Sequence, residues 1–371
     1  MAKTKTEKTS FDKGLLHPEK TMEEDNRDTA LRPKTLAEFQ GQKKMKENLS
    51  VFIEAARARN ESLDHLFLIG PPGLGKTTLA QIVANELGVD FKVTTAPFLE
   101  KPKDLAGNLT TFTEKTVFFI DEIHRLKPAI EEMLYIAMED YELDWSIGQG
   151  PYTRSIRVPI QPFTLVGATT KAGNVSSPLI SRFGITCRFS LYENEDMEAI
   201  VRRSAGILGV AIDDDAASLL AKTSRGTPRV VNRLLRRVRD FAQVAAQANA
   251  AQVSSAALKG QGANPLPQIT RKIVAESLDR LEIDSLGLEQ LSREILKIII
   301  ERYNGGPVGA ETLAISIGES VDTLEDYYEP FLIQAGLIQR TPRGRMVTPL
   351  AYEHLKIPQR ENRGNSGDEL F

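Results

Sequence analysis

The sequence predicts an α/β fold: a parallel-sheet, phosphate-binding core, then a helical domain, then a small winged-helix domain at the C-terminal end. Three observations predict it. Apolar strand signals alternate with helical stretches as far as about residue 192. A glycine-rich loop, GPPGLGKT at 70–77, joins the first of those strands to a helix. Beyond 192 the strand signals stop until a basic hairpin near the end of the chain. Continuous apolar strands separated by helices require a sheet covered on both faces, which is the parallel arrangement.

The elements follow in order. KKMKENLSVFIEAARAR places Met45, Leu49, Phe52, Ile53 and Ala56 at helical spacing, so an amphipathic helix precedes the loop. HLFLIG, FKVTTA, VFFID and FTLVGATT read as strands, and KTTLAQIVANELG reads as a helix that stops at Gly88. After residue 193, NEDMEAIVRRSAGILG, DDAASLLAKTS and PRVVNRLLRRVRDFAQVAAQANA read as helices. Residues 244–270, rich in Ala, Gln, Ser and Gly, read as a loose insertion or linker. The expected division is a polar tail at 1–28, a core at 29–192, a helical lid at 193–283, a head at 284–358 and a second tail at 359–371.

The chemistry begins at the loop. Gly73 and Gly75 let backbone N–H groups approach phosphates, Lys76 reaches the β- and γ-phosphates, and the Thr77 hydroxyl is placed to ligate Mg²⁺. TVFFIDEIH then sets two carboxylates at a strand end, where an α/β sheet presents its ligand site. Asp121 suits the Mg²⁺ shell, and Glu122 is placed to polarise the attacking water. His124 reads as a surface residue or one standing behind the carboxylates. The four histidines are scattered, which argues against a protein-built metal centre.

Thr170 leaves the strand LVGATT with a hydroxyl suited to orienting water. Arg182, on the polar turn of SPLISRFG, suits a finger reaching a neighbouring subunit's nucleotide. Arg229 lies in the first turn of a helix opened by Gly-Thr-Pro, where a cation opposes the helix dipole, and so reads as a second arginine at the nucleotide. Arg233, Arg236, Arg237 and Arg239 read as a solvated face.

This set of motifs in this order resembles the AAA+ ATPases. More narrowly, LRPKTLAEFQGQ, GPPGLGKTTLA, DEIHRL, MEDYELD, GATTKAGNVSSPLISRFGI, RGTPRVVNRLLRRVRDFA and GGPVGAETLA closely resemble the RuvB family of bacterial branch-migration motors, from about residue 30 to 356. The resemblance implies a AAA+ P-loop ATPase with ATP and Mg²⁺ as cofactors. It further implies a homohexameric ring on double-stranded DNA, loaded at four-way junctions by a RuvA-type protein and accompanied by a RuvC-type resolvase, in recombination and DNA repair. Carried over by position, Leu31, Arg32, Gly73, Gly75, Lys76, Thr77, Thr78, Glu139, Asp140, Tyr141 and Tyr192 would stand at the nucleotide. Arg182 would be the trans-acting finger, Arg229 the lid arginine, and Arg340 and Arg345 DNA contacts.

Two segments speak independently of the family. Between Asp121 and Thr170, YELDWSIGQGPYTRSIRVPIQPF is longer than a connecting helix requires. Its alternating Trp145, Ile147, Ile156, Val158 and Ile160 read as a projecting β-hairpin with an apolar partner surface, which the resemblance assigns to the RuvA-type protein. In the third unit, two helices precede LIQRTPRGRMVT, a hairpin around Arg343-Gly344. The second helix carries Glu319, Asp322, Glu325, Asp326 and Glu329, which phosphates repel, and Pro330 is expected to interrupt it. DNA is therefore expected on the wing arginines Arg340, Arg343 and Arg345, through phosphates and without sequence readout.

Composition sets the bounds. At 371 residues with 41% hydrophobic and 26% charged side chains, the chain is an ordinary globular protein of two or three domains. A formal charge of −3 excludes a bulk basic field, so nucleic acid must meet a local patch. The single cysteine, Cys187, reads as a half-buried apolar side chain in a reducing, cytoplasmic setting. No apolar run is long enough to span a membrane. An origin-binding initiator, a protein remodeller and a non-hydrolysing switch are the competing readings. The hairpin, the basic wing, and Glu122 together with Arg182 count against them in turn.

Overall fold

The computed structural model describes residues 29–147, 154–254 and 268–359. The core is a five-stranded parallel sheet ordered β2-β3-β6-β1-β7, from β1 (Leu66–Ile69), β2 (Phe91–Thr95), β3 (Val117–Asp121), β6 (Thr164–Thr169) and β7 (Ile185–Arg188). The three central strands, β1, β3 and β6, are buried almost throughout, as the unbroken apolar runs required. β6 lies between β1 and β3, so the ends that carry the loop, Asp121 and Thr170 converge on one edge of the sheet.

Between β3 and β6 the chain makes an antiparallel hairpin, β4 (Glu142–Ile147) with β5 (Arg154–Pro159), in which Trp145 stands opposite Ile156. Ile156 and Val158 on β5 are exposed at 47% and 36%. The side chains of Trp145 and Ile147 and the turn at 148–153 lie outside the described residues.

The lid is helical: Asn194–Ile207, Asp214–Thr223, Pro228–Ser254 and Arg271–Arg280. The expectation of a linker from residue 244 is corrected, because one helix runs unbroken from Pro228 to Ser254. Ala and Gln are strong helix formers, and a composition that lacks an apolar stripe still propagates a helix that has already been nucleated. The end of that segment differs too. Gln268–Ile269 form β9, pairing in parallel with β8 (Ala211–Ile212), a two-residue contact too short to leave a periodic signal.

One continuous core joins a face of the sheet to the lid, running from Leu66 and Leu68 through Met197 and Val201 to Val231 and Leu234. The head has its own core around Leu296, Ile299, Leu313, Leu324 and Leu332. Its wing pairs β10 (Ile338–Thr341) with β11 (Gly344–Val347). Cys187 is more buried than expected, and burial pushes its thiol up to about 11, which leaves it inert. Among the described residues, no helix is long and apolar enough to cross a membrane.

Candidate functional site

The phosphate loop is built by backbone that side chains would spoil. Gly73 has φ +81°, and a Cβ there would stand 2.9 Å from Thr227 Cγ2, so only glycine permits the lid to close this near. The helix Lys76–Leu87 starts directly behind it, aiming its free N–H groups into the loop, with Thr77 and Thr78 in its first turn. The Lys76 ammonium donates to Gly70 O at 2.8 Å and Pro71 O at 2.9 Å.

Burial pushes Lys76 down to about 8, Arg229 adding to the shift and Asp121 and Glu122 opposing it. An anion brought beside that ammonium raises its pKa, so binding above pH 8 must take up a proton. Nucleotide affinity is therefore expected to hold below pH 8 and to weaken above it, by up to about tenfold per pH unit. Titration calorimetry in buffers of different ionisation heat measures the uptake directly. No proton uptake at pH 9 would contradict this account.

At the ends of β3 and β6 two side chains close on one carboxylate, and a third stands behind them. Thr170 Oγ1 donates to Glu122 Oε2 at 3.4 Å, and His124 Nδ1 stands 3.2 Å from the same oxygen and 2.9 Å from Thr169 Oγ1. Glu122 sits at φ +51°, a left-handed turn that costs a non-glycine residue about 1–2 kcal/mol. Its amide donates to Asp121 Oδ1 at 3.0 Å, which helps hold that turn. Burial raises the Glu122 pKa, with Asp121 adding to the shift and Lys76 opposing it. His124 is lowered by burial and by Lys171 and Arg125, and so favours the neutral ring. His124 is thus a direct neighbour of the carboxylate, and only the folded 3₁₀ turn Ile123–Arg125 reveals it.

Arg229 lies against the phosphate loop. The Arg229 amide donates to Gly73 O at 3.3 Å, and its side chain packs against the same glycine. Tyr192 bridges loop and lid: its hydroxyl donates to Leu74 O at 3.0 Å and its amide to Gly226 O at 2.9 Å. Leu31 is buried on the lid side, its carbonyl accepting from Arg203 Nη1 at 2.7 Å, with Arg32 following it.

Arg182 belongs to a different cluster. Its Nε stands 3.0 Å from Glu139 Oε1, its Nη1 donates to Pro178 O, and its guanidinium lies over Tyr135 at 4.6 Å. Glu139 ends the helix Pro128–Glu139, and Asp140 and Tyr141 follow at the root of the hairpin. The structure therefore groups Glu139 with Arg182 and not with the phosphate loop, while Tyr141 packs edge-on against Phe163.

In the head, the wing arginines are held by the acidic helix. Arg340 and Arg345 stand opposite each other in the β10–β11 ladder, a like-charge pair that is unfavourable alone. Between them lies Glu329, fully buried, accepting from Arg340 Nε at 2.7 Å and from Arg345 Nε at 2.6 Å; Arg345 also bonds Glu325. The acidic helix was expected only to repel DNA, yet two of its carboxylates hold the wing. Pro330 falls where the helix is interrupted, as expected: the π turn Leu324–Tyr328 stands between Val321–Thr323 and Glu329–Gln334, and a residue without an N–H breaks the regular α-helical ladder there. Arg343, at the exposed turn, stands clear of this triad.

Arg345→Ala would leave the buried Glu329 with Arg340 alone, and is expected to destabilise the head by about 1.5–3 kcal/mol. Thermal unfolding of the variant checks this. A shift within error of zero would make the triad energetically irrelevant.

Three family models match in tandem: the Holliday junction DNA helicase RuvB P-loop domain at 31–189, the RuvB AAA lid domain at 192–284, and the RuvB C-terminal winged helix domain at 285–356. The chain belongs to the RuvB family. The Holliday junction branch migration complex subunit RuvB of Treponema denticola is 68% identical to this RuvB-family chain over 344 residues, covering 92% of this chain and 95% of that protein. Its counterpart in Borreliella afzelii is 52% identical, covering 93% and 94%. The solved structure of the Thermotoga maritima RuvB Holliday junction branch migration motor is 47% identical with a TM-score of 0.76, covering 89% of this chain and 99% of that one. As a RuvB-family member the chain is a AAA+ ATPase with a parallel-sheet core, a lid and a winged-helix domain.

Proposed function

We propose that this chain hydrolyses ATP to pull double-stranded DNA through a homohexameric ring, driving branch migration of four-way junctions in recombination and repair. The observation that carries the catalytic half is the convergence of Lys76, Glu122, Thr170 and Arg229 on one sheet edge.

Lys76 meets the β- and γ-phosphates, and Arg229 closes the lid side. Glu122, oriented by Thr170 and His124, accepts a proton from the attacking water. Arg182 of the adjacent subunit stabilises charge developing on the γ-phosphate. Thr77 and Asp121 fit Mg²⁺: both offer hard oxygen donors. Among the described residues no cluster of three or more potential metal ligands occurs, which suits an ion held largely by phosphates and water. Held by Thr77 and Asp121, Mg²⁺ would supply positive charge against that of the phosphates.

Ile156 and Val158 on β5 form the docking surface for a RuvA-type partner, and a RuvC-type resolvase acts on the same junction. On the wing, Arg343 contacts phosphate directly. Arg340 and Arg345 reach phosphate only by sharing or exchanging Glu329. Arg343→Ala is expected to weaken binding to all sequences alike and to lower the slope of log K against log[salt] by about 1; loss confined to particular sequences would reject this assignment. The deciding experiment follows movement of a synthetic four-way junction with and without ATP and a RuvA-type partner. No movement in any combination would reject the motor reading.

A further inference from the structure

We propose that Arg225 is a positioning residue that fastens the lid to the head, so that the nucleotide state met by Arg229 reaches the DNA-holding wing as movement of one rigid piece. The inference deepens the motor reading above and rests on it.

Arg225 stands four residues before Arg229, with Gly226 between them. The left-handed φ of +57° at Arg225 turns its side chain from the lid into the head. There its Nε donates to Gly287 O at 2.7 Å and its guanidinium lies 4.8 Å over the Phe331 ring. Glu289, Asp284, Tyr327 and Tyr328 face its charge, and the residue is 8% exposed. A cation this buried and this surrounded does not come free cheaply.

Gly287 seals the same joint. Its φ is +79°, and a Cβ there would stand 2.2 Å from Thr223 O, so the head's first turn and the lid's Thr223–Arg225 corner are in backbone contact.

The contacts on either side make Arg225 a coupling element. Toward the nucleotide, Arg229 N bonds Gly73 O and Tyr192 N bonds Gly226 O. Toward DNA, Phe331 lies on the helix whose Glu329 holds Arg340 and Arg345. A second tie reaches the head from the core, where Lys171, next to Thr170, pairs with Asp326 at 2.7 Å. Both of its side chains are substantially exposed, so water and salt weaken it. When the lid turns, the screened pair gives way and the buried joint carries the head.

Arg225→Met keeps the bulk and removes the charge, and Phe331→Leu removes the ring while sparing the lid. Calorimetric unfolding with and without a slowly hydrolysed ATP analogue provides a readout that needs no DNA. In the wild type, lid and head are expected to melt together and shift together with nucleotide. In both variants the head should melt separately and ignore nucleotide. Junction movement per ATP hydrolysed should fall at least tenfold while DNA-free hydrolysis stays within threefold of wild type. A head transition that still follows nucleotide in both variants, or unchanged movement per ATP, overturns the proposal. Failure of the wild type to move junctions would reject the motor reading instead, and the calorimetric comparison would still decide the role of Arg225.

Discussion

Glu122→Gln is expected to bind ATP as the wild type does and to hydrolyse it about 10²–10⁴-fold more slowly, the range that a positioned general base contributes. The substitution keeps the size of the side chain and an oxygen that still accepts from Thr170, so the local geometry survives. What it removes is the basic oxygen pair. Burial and Asp121 both raise the Glu122 pKa, which makes the carboxylate a better proton acceptor than an exposed glutamate. Nucleotide affinity and single-turnover phosphate release separate the two effects. Wild-type release with the glutamine in place would remove Glu122 from the mechanism, whereas lost binding would make it part of the phosphate site.

Arg182→Ala is expected to cost about 10³–10⁵ in turnover, the scale of an arginine finger, with little change in nucleotide binding. Within one chain, Arg182 is paired with Glu139 at 3.0 Å, on a carboxylate that is 57% exposed. A pair that exposed is worth about 1 kcal/mol or less, so a neighbour's γ-phosphate readily draws the arginine away. Mixing Arg182→Ala with Lys76→Ala subunits tests the direction of action. A ring that alternates them restores sites with an intact lysine on one side and an intact arginine on the other, so turnover should partly recover. Two inactive variants that stay inactive when mixed would place Arg182 in its own subunit's site.

The catalytic edge was legible in the sequence because its signals are local. A glycine loop must lie between a strand and a helix, and Asp121 and Thr170 sit at the ends of apolar runs whose length alone marks them as central strands. Arg229 was legible for the same reason, since its Gly-Thr-Pro start fixes the first turn of a helix. The boundary at 244 was misread because composition carries the linker signal, while a helix already nucleated at Pro228 continues without it. Of the two readings of His124, on the surface or behind the carboxylates, the second holds, and only the direction of the 3₁₀ turn Ile123–Arg125 decides between them. The pairing of Glu139 with Arg182 was not legible at all, for the two lie on separate elements.

The sequence by itself determined the fuel, the order of domains and the family, because phosphate chemistry and strand periodicity are written in contiguous residues. Only the tertiary structure decided what the charges do. Glu329 is an acidic residue on an acidic helix until the fold buries it between Arg340 and Arg345. Arg225 is one arginine among many until the lid corner turns it over Phe331. A charge in a sequence carries its sign but not its partner, and partners are chosen by burial, where leaving an ion alone costs most.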